Sequence, residues 1–125
     1  LGKTYPDGTK IAVQGETGEC MFVIQKGRAE VFLERHGREL RLSVLEPGDV
    51  FGEMSLFTRE PRSASVRALG EARVLTIDKR GFLKRVHEDP SLAFRILQKM
   101  SLRIRALNDE LARLEENLQS QPTGV

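Results

Sequence analysis

Chemistry in this chain concentrates in residues 51–66, which read FGEMSLFTREPRSASV. A turn at Pro47, Gly48 and Asp49 leads in, Gly52 and Glu53 precede a short apolar segment over 54–57, and a polar connector over 58–61 delivers Arg62. Glycine lets a backbone come close to a ligand because no Cβ intervenes, and a helix start directly after it presents unpaired N–H groups with positive partial charge. That combination is an anion cradle. The guanidinium of Arg62 closes it from the far side through a bidentate, charge-assisted pair with a phosphate. Glu53 repels a phosphate but accepts from hydroxyls, so the matching molecule carries both. A sugar phosphate meets the two demands. The plain alternatives are a surface arginine at a strand start and a solvated carboxylate favoured by a helix dipole.

Other chemistries find little in the sequence. Two histidines, His36 in a turn and His87 at a helix end, leave no clustered ligand set for a metal, which also argues against a metal-binding cupin. Ser55 and Ser63 have no histidine nearby in sequence and no Gly-x-Ser-x-Gly pattern exists. Nothing raises one carboxylate pair above the others among 18 acidic residues, so no enzyme activity is expected. The basic residues over 79–105 read as a solvated helical face. Without base-stacking aromatics or a helix-turn-helix, they are not expected to contact nucleic acid.

The elements that position the cradle follow from length and pattern. At 125 residues, 39% apolar and 30% charged, the chain fits a single globular domain rather than a disordered or membrane-spanning one. The net charge of +2 demands no polyanionic partner. No apolar run approaches the roughly 20 residues of a spanning helix, and no signal-peptide pattern opens the chain. The lone Cys20 cannot form an internal disulfide, so a cytoplasmic setting is expected, with no membrane contact. The start at Leu1 rather than Met fits an excised piece of a longer protein.

Turn chemistry at Tyr5-Pro6-Asp7-Gly8 precedes a short strand over 10–13 and a glycine-bearing turn over 14–19. Strands are expected over 21–26 and 29–33, broken at Gly27, with a hairpin turn at 35–38 and a return strand carrying Leu40, Leu42 and Val44. Val66, Leu69, Val74, Leu75 and Ile77 give the last strands, broken at Gly70. Short strands between glycine turns argue for an antiparallel sandwich or barrel.

Asp78 is a candidate N-cap for a short helix over 79–87, with Phe82, Leu83 and Val86 as its apolar face. Asp89-Pro90 opens a long helix reaching about residue 119, since neither Gly nor Pro intervenes. Leu97, Met100, Ile104, Leu107, Leu111, Leu114 and Leu118 recur at spacings of three and four. A seam that long favours a partner helix over packing on one small domain, and hence a homodimer. Glu110 and Glu115 would face each other as like charges in a parallel pair. Residues 120–125 read as a flexible tail.

Phe-Gly-Glu, a short helix, then Pro-Arg-Ser-Ala-Ser-Val resembles the phosphate-binding cassette of cyclic nucleotide-binding domains. Such domains occur in catabolite-activator-type regulators, regulatory subunits of cyclic-AMP-dependent protein kinase and cyclic-nucleotide-gated channels. The resemblance implies a mainly β fold with C-terminal helices: an antiparallel β jelly-roll barrel over 5–78, the short helix, then the long one, together one domain over 1–119. The implied ligand is cyclic AMP or cyclic GMP, with cyclic AMP preferred, and no cofactor. Arg62 then takes the cyclic phosphate with the amides of Ser63 and Ala64 and the Ser63 hydroxyl, and Glu53 accepts from the ribose 2′-hydroxyl. Phe51, Gly52, Met54 and Ser55 belong to the same shell; Val31, Leu42 and Ser43 form the barrel wall. Arg103 falls where the family braces the ribose-binding glutamate. Leu107 and Asn108 fall where catabolite-activator proteins place a polar pair at the adenine, and Leu107 departs from that pattern because it can only pack. Gln14 stands where the family commonly has an acidic residue. The function implied is a sensor passing ligand occupancy through its C-terminal helices. The alternatives are the sensory part of a DNA-binding regulator whose helix-turn-helix lies outside this chain, and a dimerisation module that binds no nucleotide.

Overall fold

The structure, a computed structural model, describes residues 2–120. It divides between Leu83 and Lys84 into two compact units. The first carries β1 (Lys3–Tyr5), β2 (Lys10–Ala12), β3 (Cys20–Arg35), β4 (Arg38–Leu45), β5 (Val50–Phe51), α1 (Glu53–Thr58) and β6 (Ser65–Asp78). From there the chain runs through α2 (Lys79–Glu88) into α3 (Ser91–Ser120). The class expected from the sequence, mainly β with C-terminal helices, is the one observed. Of the tail, residues 121–125 lie outside the described residues, and Ser120 closes α3.

All pairings are antiparallel in one six-stranded sheet of order β1-β6-β3-β4, with β2 joining β6 and β5 joining β3. The sheet is open, since β1 and β4 end the path without pairing with each other. The strands are also fewer and longer than the glycines suggested. Gly27 and Gly70 do not end strands; they adopt φ of 77° and 67° inside β3 and β6. Register shifts between Ile24 and Lys26 and between Lys26 and Arg28 absorb the extra residues as irregularities, and pairing resumes at Arg28↔Leu69. A bulge bends a strand without terminating it. At Gly27 glycine is obligatory, because a Cβ would meet the Glu71 carbonyl oxygen at 2.3 Å.

The hairpin joining β3 to β4 has His36 and Gly37 as its loop, with φ of 53° and 73°. Two consecutive positive φ values give the mirror-image turn that matches strand twist. The core cluster is built on Phe22, Ile24, Phe51, Val66 and Val74 with small alanines between them, and Val31 packs against its edge. Phe22 and Phe51 stack with centroids 4.9 Å apart, tying the short β5, and so the start of α1, to the centre of β3. Phe32 is fully buried under the Arg67 guanidinium, 4.2 Å from its ring centroid. Beside it the buried Glu30 accepts from Arg67 Nε at 2.8 Å and pairs with Arg41. Burial favours the neutral carboxyl, but hydrogen bonds from Arg41 and Arg67, reinforced by their charge, outweigh it and hold the Glu30 pKa below the usual glutamate range.

Both helix caps foreseen in the sequence form. Asp78 Oδ1 accepts from the Gly81 N–H at 2.7 Å, and Asp89 Oδ1 accepts from the Ser91 N–H at 3.1 Å. On α3, Leu97, Ile104, Leu107, Leu111, Leu114 and Leu118 are each more than half exposed, and Met100 is half-buried. No helix among the described residues is long and apolar enough to cross a membrane.

Candidate functional site

Of the expected cassette, Gly52 and the head of Arg62 meet in the structure. Gly52 caps the N-terminus of α1 in the left-handed region, φ 75°, where a side chain is strained. A Cβ there would lie 2.5 Å from Arg62 Nη1 and 3.2 Å from Phe22 Cδ2. The sequence suggested that Gly52 admits a ligand; in the structure the group that comes closest is the guanidinium itself. Its Cζ lies over the Phe22 ring, 5.1 Å from the centroid, and Nη2 donates to the Cys20 carbonyl at 3.3 Å with the Cys20 Sγ at 3.7 Å.

Two main-chain bonds fix where this side chain starts. The Gly15 N–H donates to the Arg62 carbonyl at 2.8 Å, and the Arg62 N–H donates to the Glu16 carbonyl at 2.9 Å. The glycine-bearing loop between β2 and β3 is thereby clipped to the residue it faces. Gln14, the family departure, extends the clip: its N–H donates to the buried Ser65 Oγ at 2.9 Å, and its Oε1 accepts from the Glu34 N–H at 2.8 Å. Nη1 of Arg62 is buried and has no hydrogen-bond partner among the described residues. Leaving such a donor unpaired costs about 1–3 kcal/mol, more for a charged group. An anion oxygen is the natural partner for it, so the donor chemistry fits a phosphate.

The other expected residues differ in placement. Glu53 is buried at the first turn of α1 and Phe51 is buried in the core stack, both next to Gly52 in the chain. Ser55 is buried too, but its hydroxyl donates to the Glu60 carbonyl at 3.1 Å, so it braces the connector. Met54 is half exposed, Ser63 exposed and Ala64 half-buried. Val31 pairs with Ser43 on one side and Val66 on the other. Leu42 is the extra residue at the irregularity between Val31↔Ser43 and Phe32↔Arg41, and it is half exposed. Arg103, Leu107 and Asn108 lie on the exposed length of α3, in the second unit.

Sequence reasoning missed the surroundings of the arginine: Gly18, Cys20 and Phe22. The signal available was the second glycine of the 14–19 turn, which turn chemistry alone did not use. Among the described residues no group of three or more His, Cys, Asp or Glu is placed to hold a metal ion.

A mainly β sheet bearing a glycine-started short helix and an inward-turned arginine, followed by C-terminal helices, defines the class. The profile of the cyclic nucleotide-binding domain family matches residues 2–89, and the chain belongs to that family. It is 31% identical over 110 residues to the cyclic AMP receptor protein of Thermus thermophilus, covering 87% of this chain and 51% of that protein. It is 34% identical over 80 residues to the cAMP-dependent protein kinase regulatory subunit of Mucor circinelloides, covering 64% of this chain and 19% of that one. The crystal structure of Thermus thermophilus catabolite activator protein superposes with a TM-score of 0.84 at 30% identity, covering 92% of this chain and 55% of that one. The chain thus spans about half the length of the two Thermus thermophilus proteins and about a fifth of the kinase subunit.

Proposed function

We propose that this chain is a regulatory sensor that binds cyclic AMP in preference to cyclic GMP, in the cassette formed by Gly52, Glu53 and Arg62. The observation that carries the reading is the Arg62 guanidinium: turned inward against Gly52, with Nη1 buried and unpartnered among the described residues. In the proposed complex the cyclic phosphate pairs with Arg62 and the amides of Ser63 and Ala64, while Glu53 accepts from the ribose 2′-hydroxyl. Roles for Arg103, Leu107 and Asn108 at ribose and base belong to the same proposal, and alanine substitution at each tests them.

Transmission runs from α1 to the start of α2. Phe57 meets Phe82 edge to face, with centroids 5.4 Å apart, so a movement of the cassette helix displaces the next one. Ligand shifts such a pair of arrangements only through unequal affinity for them. The exposed apolar seam of α3 supports a homodimer, and likeness to catabolite-activator proteins supports a sensory role in a cytoplasmic transcription regulator. Calorimetric titration with cyclic AMP and cyclic GMP tests the reading, with saturable binding of one nucleotide per chain as the expected result. A folded protein that gives no binding heat with either nucleotide contradicts it.

A further inference from the structure

We infer that Gly18 is a positioning residue for the anion-binding arginine, an inference that rests on Arg62 being the phosphate ligand. Gly52 would be glycine for its backbone alone, but Gly18 is not among the glycines with positive φ. Only what stands in front of it calls for the missing Cβ. A Cβ on Gly18 would lie 2.5 Å from Arg62 Nη2, 3.2 Å from Cζ and 3.4 Å from Nε.

At that separation one of the two groups must move. The loop is held, because Gly15 and Glu16 are hydrogen-bonded to the main chain of Arg62 itself. What gives is the far end of a flexible side chain. Nη2 then leaves the Cys20 carbonyl, and the fork loses its present place beside the Phe22 ring. The charge stays in the protein, but bidentate pairing depends on the placement of the fork as well as its charge. Gly18 thus keeps open the space that the guanidinium occupies. The fold does not need it there; the ligand does.

Gly18→Ala tests this in the full chain, read by calorimetric titration with cyclic AMP. The dissociation constant is expected to rise on the order of tenfold, while the unliganded protein melts within about 3 °C of wild type. Thr17→Ala, an exposed change in the same loop, is expected to leave affinity unaltered. In an Arg62→Lys background, which has no Nη2 to displace, Gly18→Ala is expected to change affinity less than about twofold. Wild-type affinity in Gly18→Ala, an equal loss in both backgrounds, or failure of Gly18→Ala to fold each overturns the inference. If Arg62→Ala itself binds like wild type, the assignment of Arg62 falls first, and that outcome is distinct from a Gly18 that proves indifferent.

Discussion

Arg62→Ala separates ligand binding from stability, because the side chain weighs heavily on the first while its effects on the second largely offset one another. Toward a phosphate it supplies a charge-assisted pair in a partly buried setting, and truncating one partner of such a pair costs about 2–5 kcal/mol. That corresponds to a loss of affinity of roughly thirty- to several-thousand-fold. Toward the unliganded fold the sum is close to zero. The variant loses the 3.3 Å bond to the Cys20 carbonyl and the contact over Phe22, worth about 0.5–3 kcal/mol and about 0.5–2 kcal/mol. It also removes the buried, unpartnered Nη1, which relieves about 1–3 kcal/mol. The melting temperature without ligand should therefore move by no more than about 5 °C in either direction. Arg62→Lys keeps the charge without the fork, so its loss of affinity should fall between wild type and Arg62→Ala. Calorimetry is the appropriate assay, since the chain has no Trp to report binding. Equal dissociation constants for wild type and Arg62→Ala would refute the phosphate assignment outright.

Glu53→Gln should weaken cyclic AMP binding by about tenfold yet barely affect 2′-deoxy cyclic AMP, because in the proposed complex the charged acceptor that is neutralised serves the hydroxyl that the analogue lacks; parallel titrations measure the difference. Lysine at both Leu111 and Leu114, each more than half exposed on α3, should convert a dimer to a monomer in sedimentation equilibrium, and a wild-type protein that stays monomeric at high concentration contradicts the seam. The lowered pKa of Glu30 means its contribution is fully present above the usual glutamate range, roughly pH 4.3, and is lost as the pH falls through the folded-state value. Glu30→Gln should cost about 2 kcal/mol at neutral pH and flatten the acid limb of a melting-temperature profile taken from pH 3 to 7. At the hairpin, Gly37→Val places a β-branched residue at a φ of 73° and should destabilise by about 1–2 kcal/mol in a urea titration.

Local patterns made the helices and the hairpin readable from the sequence. Asp78 and Asp89 cap where their side-chain chemistry says they should, and the pair His36-Gly37 turns where alternating strands require a two-residue loop. Long strands were harder, because a glycine within a strand and a glycine between strands look alike. At Gly27 the deciding fact is the Glu71 carbonyl 2.3 Å from its absent Cβ, a contact 44 positions away that no local pattern carries. Lys3–Tyr5 escaped for a similar reason: it is a strand only because β6 offers Ala72, Arg73 and Val74 as partners.

The candidate site divides the same way. Spacing from Gly52 to Arg62 was visible, since helix, connector and arginine follow in sequence. The arginine's packing was not, because Gly18, Cys20 and Phe22 meet it across the sheet. Ser55 shows the converse, a residue in the right stretch whose hydroxyl is taken by the Glu60 carbonyl.

Side-chain nitrogen spectra of arginine report on the guanidinium without an intermediary. The Nε–H resonance assigned to Arg62 by its loss in Arg62→Lys should shift as cyclic AMP is added and stop moving when the calorimetric site is full. A resonance that stays fixed while the nucleotide saturates its site would place the phosphate elsewhere.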